Sequence, residues 1–156
     1  MAANESNQNK IAGCSFSLYP MSDDYVDLIL SALKETDTTK VWMNTDEVST
    51  IVRGGIPHIF DVVCSAFLRT ADSGEPVVFS ATFSIGCPGD SEGHSYLAED
   101  NIRTNAAIVE EISQDVTAKF ALYPMGGGDY MDVIYQQIEA MKKHGVDAEM
   151  THYETK

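Results

Sequence analysis

Basic residues are scarce in this 156-residue chain: 10 Lys and Arg stand against 24 Asp and Glu, for a formal net charge of −14. Such a surface repels nucleic acid and anionic membranes, so neither is expected as a partner. Long apolar runs are missing too. None approaches the ~20 residues that a membrane-spanning helix needs. The first ten residues, MAANESNQNK, lack the apolar stretch of a secretory signal and read as a disordered tail. Cysteine is limited to Cys14, Cys64 and Cys87, widely spaced and without a Cys-x-x-Cys pair. That pattern fits reduced, buried thiols in a cytoplasmic protein; Cys64, amid Val62, Val63 and Phe67, reads as a core residue. His58, His94, His144 and His152 lie in separate segments without ligand spacing, so no metal site is expected. No nucleophile has an evident base beside it, which leaves a hydrolase without support.

What the chain does contain is a repeat. Phe16-Ser-Leu-Tyr-Pro-Met21 returns as Phe120-Ala-Leu-Tyr-Pro-Met125, identical at five of six positions and shifted by 104 residues. A turn follows each copy, then Tyr-x-Asp-x-Ile: Tyr25, Asp27 and Ile29 first, Tyr130, Asp132 and Ile134 second. A strand–turn–helix unit is therefore repeated. The composition, 44% hydrophobic and 22% charged, is that of an ordinary globular protein able to bury a core.

Alternation over 14–19 predicts a strand, with Phe16 and Leu18 on one face and Ser15, Ser17 and Tyr19 on the other. Pro20 ends it, and Ser22, Asp23 and Asp24 offer capping oxygens for a helix whose stripe is Tyr25, Leu28, Ile29 and Leu33. Two short strands are expected at about 41–44 and 48–53. Gly54 and Gly55 then break the pattern, and Pro57 opens a second helix with the stripe Ile59, Phe60, Val63, Phe67 and Leu68. A strand over 76–85 follows, with Val77, Phe79, Ala81, Phe83 and Ile85 on one face and Val78, Ser80, Thr82 and Ser84 on the other. Strand, helix, strand, strand, helix, strand is the ferredoxin-like βαββαβ order, an α+β fold with helices on one face of an antiparallel sheet. The expected divisions are a tail (1–10), a first repeat (11–86), a linker with a short helix near 104–112 (87–116), and a partial second repeat (117–156). In that second copy a strand (118–123), a helix (129–143) and the start of a third element (147–154) are expected. Gly126-Gly127-Gly128 reads as a turn, since its counterpart Ser22-Asp23-Asp24 would repel phosphate.

The sheet face away from the helices is unusual in its residue types. It collects Ser15, Ser17, Tyr19, Val78, Ser80, Thr82 and Ser84, with either Ser49, Ile51 and Arg53 or Val48, Thr50 and Val52 from the third strand. Hydroxyls both donate and accept, so they suit a neutral heterocycle with mixed edge groups. Near the strand ends, Trp42 could stack on a ring and Asp46 could pair with an amino group or a positive charge. A half-wet face or a subunit contact would explain the same hydroxyls.

The strings Phe16–Met21, Lys40-Val-Trp42, Ser49-Thr50 with Arg53-Gly54, and Thr82-Phe-Ser-Ile-Gly-Cys-Pro-Gly-Asp90 resemble the YkoF family. The resemblance implies tandem ferredoxin-like repeats, non-enzymatic binding of thiamine or its hydroxymethylpyrimidine precursor in support of precursor uptake, a cytoplasmic location and a homodimer. It implies no cofactor and no metal. On that reading Ser17, Ser49, Thr50, Thr82 and Ser84 meet the aminopyrimidine edge, Asp46 takes the amino group or the thiazolium charge, and Tyr19 and Trp42 stack. The competing expectation is an interaction or oligomerisation module whose open sheet face buries against a partner chain.

Overall fold

Strand β1 (Ile11–Pro20) alternates apolar and small polar residues over its whole length, and the two sets part cleanly. Ala12, Cys14, Phe16 and Leu18 are buried, while Ser15 and Tyr19 are exposed. The computed structural model of the protein describes residues 11–85, 98, 100–126, 128–151 and 155–156. The expected tail, Cys87, His94, Gly127, His152 and the first part of the expected linker lie outside the described residues. After β1 come α1 (Tyr25–Glu35), β2 (Val41–Thr45), β3 (Thr50–Gly55), α2 (Ile56–Ala71), β4 (Val77–Ile85), α3 (Ala106–Glu111) and α4 (Tyr130–Lys143).

The four strands form one sheet in the order β2-β3-β1-β4, and every neighbouring pair is antiparallel. β1 is longer than its alternation predicts because it is paired along both edges, with β3 from Ile11 to Phe16 and with β4 from Ala12 to Pro20. Helices α1 and α2 cover one face. Leu33 from α1 and Ile59, Val62, Val63 and Ala66 from α2 close over Phe16, Leu18, Val41 and Val52. Each Val, Leu, Ile or Phe among these removed from water contributes about 1.5–3 kcal/mol before chain entropy is set against it.

Several expectations change in detail. Asp24 occupies the cap position of α1 but makes no side-chain capping bond; instead the Ser22 hydroxyl accepts from the Asp24 N–H at 3.3 Å. Tyr25 leaves the predicted stripe and is exposed, and Ala32 takes a place in it. Gly54 and Gly55 do not interrupt the chain but finish β3, where Gly54 pairs with both Ala12 and Val41. A Cβ on Gly54 would stand 3.0 Å from Val41 Cγ1, so glycine is what admits the edge strand at this point. Cys64 is exposed on α2, although Val62, Val63 and Ser65 around it are buried, and is not a core residue. Phe60 also leaves the core stripe, and stacks on Phe83 with ring centroids 4.8 Å apart and planes 14° from parallel.

The chain divides into two units, Met1–Gln114 and Asp115–Lys156. Within the first, α3 lies against α2 through hydrogen bonds of Asn105 to Asp61 and Asp37. The second unit holds α4, whose cap Asp129 accepts from the N–H groups of Met131 and Asp132 and whose end is turned by Gly145 at φ +82°. Of the strand expected over 118–123, Phe120 alone pairs among the described residues, in an isolated bridge to Thr155. β1 is held by a neighbour on each side, and a strand without such neighbours is marginal.

Candidate functional site

Cross-strand pairing assigns the open face residue by residue, because residues directly opposite one another point to the same side. Ser15 lies between Ile51 and Thr82, Ser17 is opposite Ser80, Tyr19 is opposite Val78, and Gly13 lies between Arg53 and Ser84. β2 adds Trp42 opposite Arg53 and Asn44 opposite Ile51. The open face therefore carries rows: Trp42, Arg53, Gly13, Ser84; then Asn44, Ile51, Ser15, Thr82; then Ser17 and Ser80. Ser49 lies just before β3 and is half-buried, next to Val48, whose carbonyl accepts from the Ser17 hydroxyl. Between the two alternatives left by the sequence, the third strand presents Ile51 and Arg53 here, the set that goes with Ser49, and turns Thr50 and Val52 to the helices.

Thr50 is accordingly a correction. It is buried on the covered face, and its hydroxyl shares a 3.0 Å hydrogen bond with the Thr45 hydroxyl. The register of β3 against Phe16 puts it there, where it cannot meet a ligand that also touches Ser17. Tyr19 and Trp42 do both face the open side, but they stand at opposite ends of it. Six residues of β1 separate the row of Trp42 from that of Tyr19, roughly 20 Å at the strand rise, so the two rings cannot flank one heterocycle.

Asp46 closes the β2–β3 turn. Its Oδ1 accepts from the N–H groups of Val48 and Ser49, both at 2.8 Å. These bonds, the Ser49 N–H foremost, hold its carboxyl below the usual range. One oxygen is thus committed to the turn that positions Ser49. Ser17 is committed in a similar way: its hydroxyl donates to Val48 O at 3.0 Å, so toward a ligand it offers lone pairs only. Ser84 and Thr82 are exposed on β4. The structure thus brings together Ser17, Ser49, Thr82 and Ser84, joined by Ser15, Ser80 and Asn44. The last three share the alternation that marked the others, which is the signal by which they could have been chosen. Among the described residues, no group of three or more His, Cys, Asp or Glu is placed to hold a metal ion.

The model of the YKOF-related family matches residues 11–90 and 115–156, which spans the open face and the whole of the second unit. The chain belongs to the YKOF-related family. It is 45% identical over 145 residues to a Bacillus subtilis (strain 168) protein named "Putative HMP/thiamine-binding protein YkoF", covering 93% of this chain and 72% of that one. Among solved structures, a domain of unknown function from Bacillus cereus is similar at TM-score 0.42 and 24% identity, over 58% of this chain and 93% of its own. A hypothetical protein from Methanocaldococcus jannascii is similar at TM-score 0.40 and 18% identity, over 53% of this chain and 86% of its own.

Proposed function

We propose that the chain binds thiamine or hydroxymethylpyrimidine, without altering it chemically, on the open face of its four-stranded sheet, and so supports uptake or delivery of the thiamine precursor. The observation that carries this reading is the hydroxyl surface of Ser17, Ser80, Ser15, Thr82 and Ser84 in a member of this family. An aminopyrimidine presents an exocyclic N–H donor beside a ring-nitrogen acceptor. Ser17, its own proton given to Val48, complements the donor; Thr82 and Ser84 hydroxyls are free to turn toward the acceptor. Trp42 is 38% exposed at the far end of the first row, where it can stack on a ring or a thiazolium cation.

On this reading the first unit is a ferredoxin-like repeat over 11–86, with 117–156 as part of a second copy. The location is the cytoplasm; among the described residues no helix is long and apolar enough to cross a membrane. At about 0.3 kcal/mol per heavy atom, a thiamine-sized ligand gains roughly −5 kcal/mol, a Kd of ~0.1 mM, which well-placed hydrogen bonds lower toward micromolar.

Isothermal titration with each ligand tests the proposal. Saturable binding that Ser17→Ala with Thr82→Val weakens at least tenfold supports it, and binding indifferent to that pair removes the face as the site. A second reading has its own observation. Ile51 and Val78 on the same face are 39% and 49% exposed, as a sheet that buries against a second copy would have them. A homodimer that dissociates on Ile51→Lys, seen by light scattering, would favour that reading.

A further inference from the structure

Helix α1 is apolar over more of its surface than the fold uses. Ala32 and Leu33 are buried, and Ile29 packs against the core. Val26 and Leu30, one turn apart on the flank of that stripe, are 49% and 55% exposed. Met21 and Tyr25 continue the exposed apolar surface at the head of the helix. The second copy repeats the pattern. Tyr25, Asp27 and Ile29 return as Tyr130, Asp132 and Ile134, a shift of 105 residues that carries Val26 to Met131, Leu30 to Tyr135 and Leu33 to Ile138. Ile138 is buried like Leu33, and Met131 and Tyr135 are exposed like Val26 and Leu30. Elsewhere the two helices differ in kind: Ala32 corresponds to Gln137, and Lys34 to Glu139. Positions that meet only water have no reason to be large and apolar in both copies. A contiguous apolar surface with a polar rim marks a docking face.

The rim of the α1 surface is acidic. Asp23, Asp24 and Asp27 are exposed at its head. The Met21 N–H donates to Pro76 O at 2.8 Å, which brings Glu75 alongside, and Asp23, Asp24 and Glu75 line one cleft with Pro20, Met21 and Ser22. Four carboxylates at this end outweigh the roughly +0.5 charge of a helix start, so the cleft draws cations. The corresponding cleft of the second copy has a single carboxylate, Asp129, whose Oδ1 is already given to the N–H groups of Met131 and Asp132. We infer that α1 docks a basic amphipathic helix of a partner protein, with the apolar face of that helix on Val26 and Leu30 and its Lys or Arg side chains over Asp23, Asp24 and Glu75. A second copy of this chain, with a formal net charge of −14 of its own, is repelled from the same surface, and so is an anionic membrane.

The stripe supplies contact area, and the carboxylates supply orientation and a faster encounter. Helix α1 lies on the covered side of the sheet, away from the hydroxyl face. Docking there leaves the open face free, so a chain that carries its ligand can still meet its partner. The docking face and the binding function proposed above rest on different residues and fail separately.

The test titrates the full, isotope-labelled chain with a synthetic peptide of about 18 residues, long enough to hold a helix in water. The peptide carries Leu at i, i+3, i+4 and i+7 spacing with Lys between; a control peptide has the same residues with that spacing scrambled. The helical peptide is expected to bind, with amide shifts gathered over 21–34 and at Glu75, and the control to bind roughly tenfold more weakly or less. Val26→Ser with Leu30→Ser should weaken binding by roughly tenfold or more and leave the thermal melt unchanged, because both side chains are exposed. Asp23→Asn with Glu75→Gln, a pair outside the core, should weaken binding and reduce its dependence on salt. Equal binding of the two peptides would reduce the contact to bulk charge and overturn the inference. Shifts gathered on another surface, or a serine pair that binds as the parent does, would also overturn it. A parent dimer that the serine pair dissociates, seen by light scattering, would assign the stripe to a second copy instead. Thiamine titration of the same variants should match the parent, since none of these residues lies on the open face.

Discussion

Asp61 on α2 and Asn105 at the head of α3 are joined by two hydrogen bonds: Asp61 Oδ2 accepts from the Asn105 backbone N–H at 2.9 Å and from its side-chain amide at 3.0 Å. The Asn105 amide also donates to Asp37 O, and its Oδ1 accepts from the Asp37 N–H. Both side chains are buried, whereas no residue of α3 itself is. Polar bonds at its buried head therefore join the half-buried Ala106, Ile108 and Val109 in attaching this short helix to the first unit.

Removing that clasp should detach the helix. Asn105→Ala keeps the backbone N–H donated to Asp61 but removes the side-chain amide from the buried Asp61 carboxyl and from the Asp37 backbone, at a cost of about 1–3 kcal/mol. Urea unfolding should show the loss, and amide exchange across 106–111 should quicken. A variant within 0.5 kcal/mol of the parent, roughly the spread of neutral surface changes, would mean other contacts hold α3.

The opposite faces of β3 should separate stability from binding. Thr50→Val removes a hydroxyl bonded to Thr45 on the covered side, so it should lower stability by about 1 kcal/mol and leave ligand affinity unchanged. Ser49→Ala, one residue away on the open side, should do the reverse. Titration calorimetry paired with urea unfolding reads both, and a binding defect in Thr50→Val would contradict the register drawn here.

Acid should unfold the protein through three carboxyls held below their ordinary pKa. The Thr39 hydroxyl bond lowers Asp37, the Ser49 N–H lowers Asp46, and the Lys40 ammonium lowers Asp100. A carboxyl depressed in the folded state contributes stability that is fully present above its unfolded pKa of about 4. That stability is lost as pH falls through the lower folded value. The urea midpoint should thus be level from about pH 5 to 7 and decline below about pH 4. Asp37→Asn, Asp46→Asn and Asp100→Asn together should flatten the decline; an unaltered slope would assign it to other carboxylates.

The thiols should differ in reactivity. Cys14 is buried in the core with its pKa pushed up to about 12 by desolvation, while Cys64 reaches the surface of α2, its pKa raised first by partial desolvation among its neighbours and further by Asp61. Maleimide at neutral pH should label Cys64, more slowly than a free thiol, and spare Cys14 until the chain unfolds. Peptide mapping by mass spectrometry distinguishes the two, and native labelling of Cys14 would imply an open core.

The sequence alone determined the repeat, the strand–helix order of the first unit and the two-faced character of β1, because each is written in local spacing: period two in Cys14-Ser15-Phe16-Ser17-Leu18, three and four in the helices. It also marked the hydroxyl face on β1 and β4, since Ser15, Ser17, Ser80, Thr82 and Ser84 alternate with apolar residues along their own strands. Only the tertiary structure decided which face β3 shows. Thr50 and Ser49 are both hydroxylic neighbours in a short strand, and a one-residue change of register exchanges them; pairing of Phe16 with Thr50 settles it. Tertiary pairing also set Tyr19 and Trp42 at opposite ends of the face and bound the Ser17 proton to Val48. Those are relations between residues far apart in the chain, fixed by backbone hydrogen bonds across strands, and no local period encodes them.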